Sequence, residues 1–72
     1  MLFVFMSQPD FACNPHALWE YVKDNTNHET AWLVKRDKKY YELLRRGVRC
    51  AVYDTVEGNA LLKEADYVIM NS

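Results

Sequence analysis

The chain has 72 residues, half of them hydrophobic and 26% charged, with a net charge of −1. That composition excludes a disordered segment, and a chain of this size makes one domain whose small core buries only ~60% of its unfolded surface. The near-neutral balance argues against a dedicated nucleic-acid binder, and no nucleic acid is expected as a partner.

Residues 2–6 (Leu-Phe-Val-Phe-Met) are continuously apolar, as a central parallel strand covered on both faces should be. The run is too short for a membrane span and lacks the charged start and cleavage site of a signal peptide. A polar loop then leads to Asn14-Pro15, a helix-start signal, because Asn caps free amides and Pro in the first turn has φ preset. Helix one is expected over residues 15–24, with Leu18, Tyr21 and Val22 on its inner face, Ala17 beside them, and Glu20, Lys23 and Asp24 elsewhere. Residues 25–29 are polar and turn-prone. The β-branched and aromatic residues 30–34 read as strand two.

Asp37 is the expected cap of a second helix running to about Arg46, with Tyr40, Leu43 and Leu44 inward and Tyr41 at the flank. Gly47 stands where a helix stops, since glycine tolerates positive φ. Residues 48–53 form strand three. Asp54 or Thr55 caps helix three, which is expected to turn Val56, Leu61, Leu62 and Ala65 inward. Gly58 within it costs ~1 kcal/mol relative to Ala, making this helix the least secure. Residues 67–70 are strand four.

The order β-α-β-α-β-α-β with short connections implies a four-stranded parallel sheet joined by right-handed crossovers. The favoured strand order is 3-2-1-4, with helices one and two on one face and helix three on the other. Residues 1–72 thus form a single partial Rossmann-like domain, half of a doubly wound fold, and an unusual place for a complete protein to end.

In that order the switch point lies between strands one and four, and ligands bind beyond the carboxyl ends there. Residues 7–14, 35–39, 54–55 and 71–72 converge on that edge. The candidate contact groups are Ser7, Gln8, Asp10, Asn14, Arg36, Asp54 and Asn71. A competing reading makes them caps and turn residues, which Asn14 and Asp54 must partly be. No glycine lies between strand one and helix one, so neither a dinucleotide fingerprint nor a phosphate loop is present, and no cofactor is expected. Cys13 and Cys50 form no close pair for zinc or redox chemistry; they read as reduced thiols of a cytosolic protein, and no metal is assigned. His16 would sit in the first turn of helix one, near the ligand edge, where a base could act. It has no identifiable carboxylate partner in the sequence, so a surface or capping role is favoured. His28 falls at the opposite end and is assigned nothing.

Lys35, Arg36, Lys38, Lys39, Arg45, Arg46 and Arg49 stand against only Asp37 and Glu42 in residues 35–49. Such a patch could meet an anionic polymer or a membrane surface. A nine-residue helix, ~13 Å long, would separate its two halves, so a solvated face is the favoured explanation. The aromatic residues at helical and strand positions read mostly as core.

Two stretches carry a family likeness: the Asn-Pro-x-Ala-Leu-aromatic-Glu-Tyr run of Asn14 to Tyr21, and the Ala-x-Tyr-Val-Ile-x-Asn run of Ala65 to Asn71. With the Thr-Ala-Trp-Leu-Val-Lys strand and a helix ending in Arg-Arg-Gly between them, the chain resembles the start of the catalytic region of the CDP-glycerol glycerophosphotransferases, the teichoic-acid polymerase and primase-like enzymes. The resemblance implies a glycosyltransferase-B type architecture of two Rossmann-like domains with the cleft between them. It implies transfer of glycerol phosphate from CDP-glycerol to a wall-polymer acceptor, in the cytoplasm at the inner membrane face. Only the opening strands of the first domain are covered, and the donor domain is missing. The family-type histidine base is absent from the strand-one loop, where Ser7-Gln8-Pro9-Asp10 stands; Asp10 is the candidate substitute.

Two readings are open. In one, the chain is a fragment or truncated relative of such a transferase, expected to be inactive alone. In the other, it is a stand-alone small α/β module that binds a partner or an anionic ligand without catalysis. Either way, strand 67–70 is an apolar edge with unpaired backbone, and self-association through it or through an open sheet face is expected.

Overall fold

The computed structural model describes residues 1–7 and 13–70, with nothing described of the Cys13 side chain. The elements are β1 (Leu2–Met6), α1 (Cys13–Asn25), β2 (Glu29–Val34), α2 (Lys38–Arg45), β3 (Cys50–Val52), α3 (Val56–Glu64) and β4 (Tyr67–Met70). All strand pairs are parallel and the sheet order is β3-β2-β1-β4, as the sequence implied.

Register sorts the side chains onto two faces. Phe3, Phe5, Trp32, Val34, Cys50 and Ile69 share one face with Trp19 and Val22 of α1 and Leu43 of α2. Leu2, Val4, Ala31, Leu33 and Ala51 share the other with Leu61 of α3. Helices one and two therefore cover one face and helix three the other. Phe5 and Trp32 are fully buried with ring centroids 5.5 Å apart, and Trp19 meets Trp32 edge-on at 6.1 Å.

The helices turn differently from the expected faces. On α1 the inward stripe is Pro15, Trp19 and Val22, while Leu18 and Tyr21 are exposed, Tyr21 at 62%. The indole decides this rotation: it brings the largest apolar area, and its Nε1–H donates to Thr30 Oγ1 at 3.2 Å. On α2, Leu43 alone is fully buried; Tyr40 is half-buried and Leu44 is exposed.

Helix α2 ends in a Schellman motif, in which Gly47 N–H donates to Leu44 O, Val48 N–H donates to Leu43 O, and Gly47 has φ +76°. Val48 is thereby held in the cap, so β3 starts at Cys50 rather than at residue 48.

On α3, Val56 is 82% exposed and Leu62 is also outside, so only Leu61 and the half-buried Ala65 keep the expected orientation. The reason is Gly58. It is buried, and a Cβ there would collide with the Val52 carbonyl oxygen. Rather than a weakness in the helix, Gly58 is what lets α3 approach β3. Replacing it tests this. Gly58→Ala should destabilise the fold in urea unfolding by about 1–2 kcal/mol, the overpacking cost exceeding the gain in helix propensity. A raised midpoint would mean α3 can back away freely.

Candidate functional site

The carboxyl edge of the sheet is lined by the residues that succeed each strand. Ser7 directly follows β1 and is buried at 2% exposure, in the floor of this edge. Asn14 lies within the first turn of α1, because the helix starts at Cys13, two residues before Pro15. It is exposed and does not occupy the capping position expected of it. Gln8, Asp10 and Asn71 lie outside the described residues.

Arg36 follows β2 and lines a cavity of about 280 Å³ with Tyr40, Val52, Thr55 and Glu57. Asp54 follows β3, is exposed, and has φ +56°, a left-handed conformation that Asp adopts more readily than most residues. The cap of α3 is Thr55. Its Oγ1 accepts from Gly58 N–H at 3.0 Å and donates to Val52 O at 2.7 Å. Asp37 caps α2 by accepting from Lys39 N–H at 3.0 Å.

Sheet order decides which candidates can meet. Strands lie ~4.8 Å apart, so the ends of β3 and β4 are separated by about 14 Å. Arg36 and Asp54 stand on the β2–β3 side; Ser7 and Asn14 stand with β1. One small ligand cannot touch both groups, whereas an extended one can.

One arrangement is not anticipated by the sequence reading. His16 Nδ1 lies 3.2 Å from Glu20 Oε1, one helical turn on, and its ring is 5.4 Å from Trp19 and 6.4 Å from Trp32. The missing carboxylate is supplied at the i, i+4 spacing, which was the available signal. A carboxylate on one ring nitrogen orients an imidazole for proton transfer at the other, so the pair is a second base candidate at this edge. Cys50 is half-buried and burial pushes its thiol up, which disfavours a nucleophilic thiolate. Among the described residues no three His, Cys, Asp or Glu gather as a metal site requires, and no helix is long and apolar enough to cross a membrane.

A parallel 3-2-1-4 sheet with helices on both faces and polar groups gathered beyond its strand ends defines a Rossmann-like half domain. The chain belongs to the CDP-glycerol:poly(glycerophosphate) glycerophosphotransferase family, whose sequence model matches residues 1–72. No curated protein and no solved structure matches it.

The caps give a paired test. Thr55→Ala should cost about 1 kcal/mol in urea unfolding and Asn14→Ala less than about half that. Equal losses would mean that Asn14 caps α1 after all.

Proposed function

We propose that the chain is part of, or a truncated relative of, a glycerophosphotransferase that moves glycerol phosphate from CDP-glycerol to a teichoic-acid-type acceptor. The family match along the whole of residues 1–72 carries this reading. In the reaction an acceptor hydroxyl attacks the phosphorus bearing the glycerol, the bond to the cytidine phosphate breaks, and CMP leaves. The hydroxyl proton passes to a base, and cations offset the charge on the phosphates. Asp10 is the proposed base, with Ser7, Gln8, Asn14, Arg36, Asp54 and Asn71 as the proposed contacts along the edge; His16, held by Glu20, is the alternative base. Residues on this half would face the acceptor, at the cytoplasmic face of the membrane.

Titration of the purified chain with CDP-glycerol, followed by backbone amide NMR, tests the reading. Localised shifts at Ser7, Asn14 and their neighbours are expected. A dispersed spectrum that the donor leaves unchanged would favour the second reading, a binding module without chemistry.

The edges bear on either reading. Val68 (42% exposed) and Met70 (57% exposed) lie beside α3 on a face it leaves partly uncovered, and Tyr67 is exposed on the other. This apolar edge strand supports pairing with a second copy. Sedimentation should show dimer growing with concentration, and Val68→Lys should return it to monomer. A wild-type mass that stays monomeric at every concentration would dispose of the pairing.

A further inference from the structure

We propose that the open edge of β3 binds an extended segment of a partner polypeptide as an added strand, and that it selects a segment with a base and an acid at adjacent positions. β3 ends the sheet, so one of its sides has no neighbour. On the other side Arg49 O accepts from Trp32 N–H at 3.0 Å and Tyr53 N–H donates to Val34 O at 3.1 Å. Backbone groups turn alternately to the two sides of a strand, so Ala51 also bonds to β2 while Cys50 and Val52 turn theirs outward. The Val52 carbonyl is taken by the Thr55 hydroxyl at 2.7 Å. Cys50 N–H, Cys50 O and Val52 N–H are left, and a strand laid along β3 can bond to all three.

This edge lies in a trough. On the α3 side it opens on a cavity of about 280 Å³ whose lining includes Ala51, Glu57, Ala60, Leu61 and Glu64. On the α2 side it opens on another of about 280 Å³, with Arg36, Tyr40 and Val52 in its lining. The side chains of an added strand point alternately to these two walls. Ala51 and Ala60 leave room on the α3 wall for an apolar side chain. At the amino end of β3, Arg49 is held by Glu64 at 3.2 Å, which closes that end electrically. At the carboxyl end, Arg36 stands on the α2 side and Glu57 on the α3 side, and neither has an ion-pair partner among the described residues. An uncharged strand would cover both charges without compensating them, which is how they keep such strands out. A base pointing to Glu57 beside an acid pointing to Arg36 removes that penalty. The four strands of this chain contain one charged residue, Glu29, so no strand of a second copy supplies the pair.

The site does not rest on the transferase reading. Its test reads the amides of β3, whereas CDP-glycerol titration reads Ser7 and Asn14, so the two can fail separately. The probe is a capped peptide, Thr-Thr-Val-Thr-Lys-Glu-Thr, titrated into the full chain at low salt. Laid parallel to β3, as every pair in this sheet is, it turns Val and Lys to α3 and Glu to α2. Amide exchange should slow at Cys50 and Val52 but not at Ala51, whose N–H is already bonded to β2. A twin peptide with Lys and Glu exchanged should bind about fivefold more weakly. Arg36→Glu should bring the two peptides level, and Arg36→Glu/Glu57→Lys should reverse their order; should the double variant fail to fold, the single one decides. No protection at β3, protection at Tyr67–Met70 in its place, equal affinity of the two peptides, or an order that survives Arg36→Glu would each overturn the proposal. Equally tight binding of a peptide of residues 65–71 would overturn it too, by making a second copy the occupant.

Discussion

β1 and β2 lie between other strands in the sheet and between helices across it, so their side chains meet apolar partners on both sides. Val4, Phe5, Trp32 and Val34 are completely enclosed, as are Ala31 and, nearly, Leu33. A parallel sheet demands this, because each crossover lays a helix on one face or the other. Burial of those two strands fixes the register, the register fixes which residues face α1 and α2 and which face α3, and the common strand direction places all strand-to-helix loops at one edge. That edge exists because the core does.

The outer strands have no such constraint, and they differ. Beside β3 stand Arg36, Arg49, Glu57 and Glu64, charged groups that discourage another strand from adding. Beside β4 the exposed residues are Tyr67, Val68 and Met70. Charge at one edge and apolar surface at the other give the sheet a preferred side for further contact.

The fold was legible because its determinants are short-range. Apolar runs, Asp37 as a cap, Asp54 or Thr55 as the next one, and Gly47 as a stop can all be read from a few neighbouring residues, and the crossover rule then limits the order of strands. Helix rotation was less legible. Whether α1 turns in Leu18 and Tyr21 or Pro15 and Trp19 depends on a hydrogen bond to Thr30, a residue in the next strand. Gly58 misleads for the same reason, since its value lies in a contact with Val52 that no local pattern reveals. At the candidate site the segments and, through the expected strand order, their separation along the edge were legible; the burial of Ser7 was not, because it depends on what packs over the end of β1. Helical spacing could have given the His16–Glu20 pair.

The two ends of the sheet also differ electrically. Helix amino termini point to the carboxyl edge and helix carboxyl termini to the amino edge, so the former favours anions and the latter cations. Lys23 and Arg45, in the last turns of α1 and α2, offset the negative ends of those helices by roughly 0.3–1 kcal/mol each. That accounts for cations near the amino edge in general. Arg49 lies beyond the helix and is held instead by Glu64 of α3, at 3.2 Å.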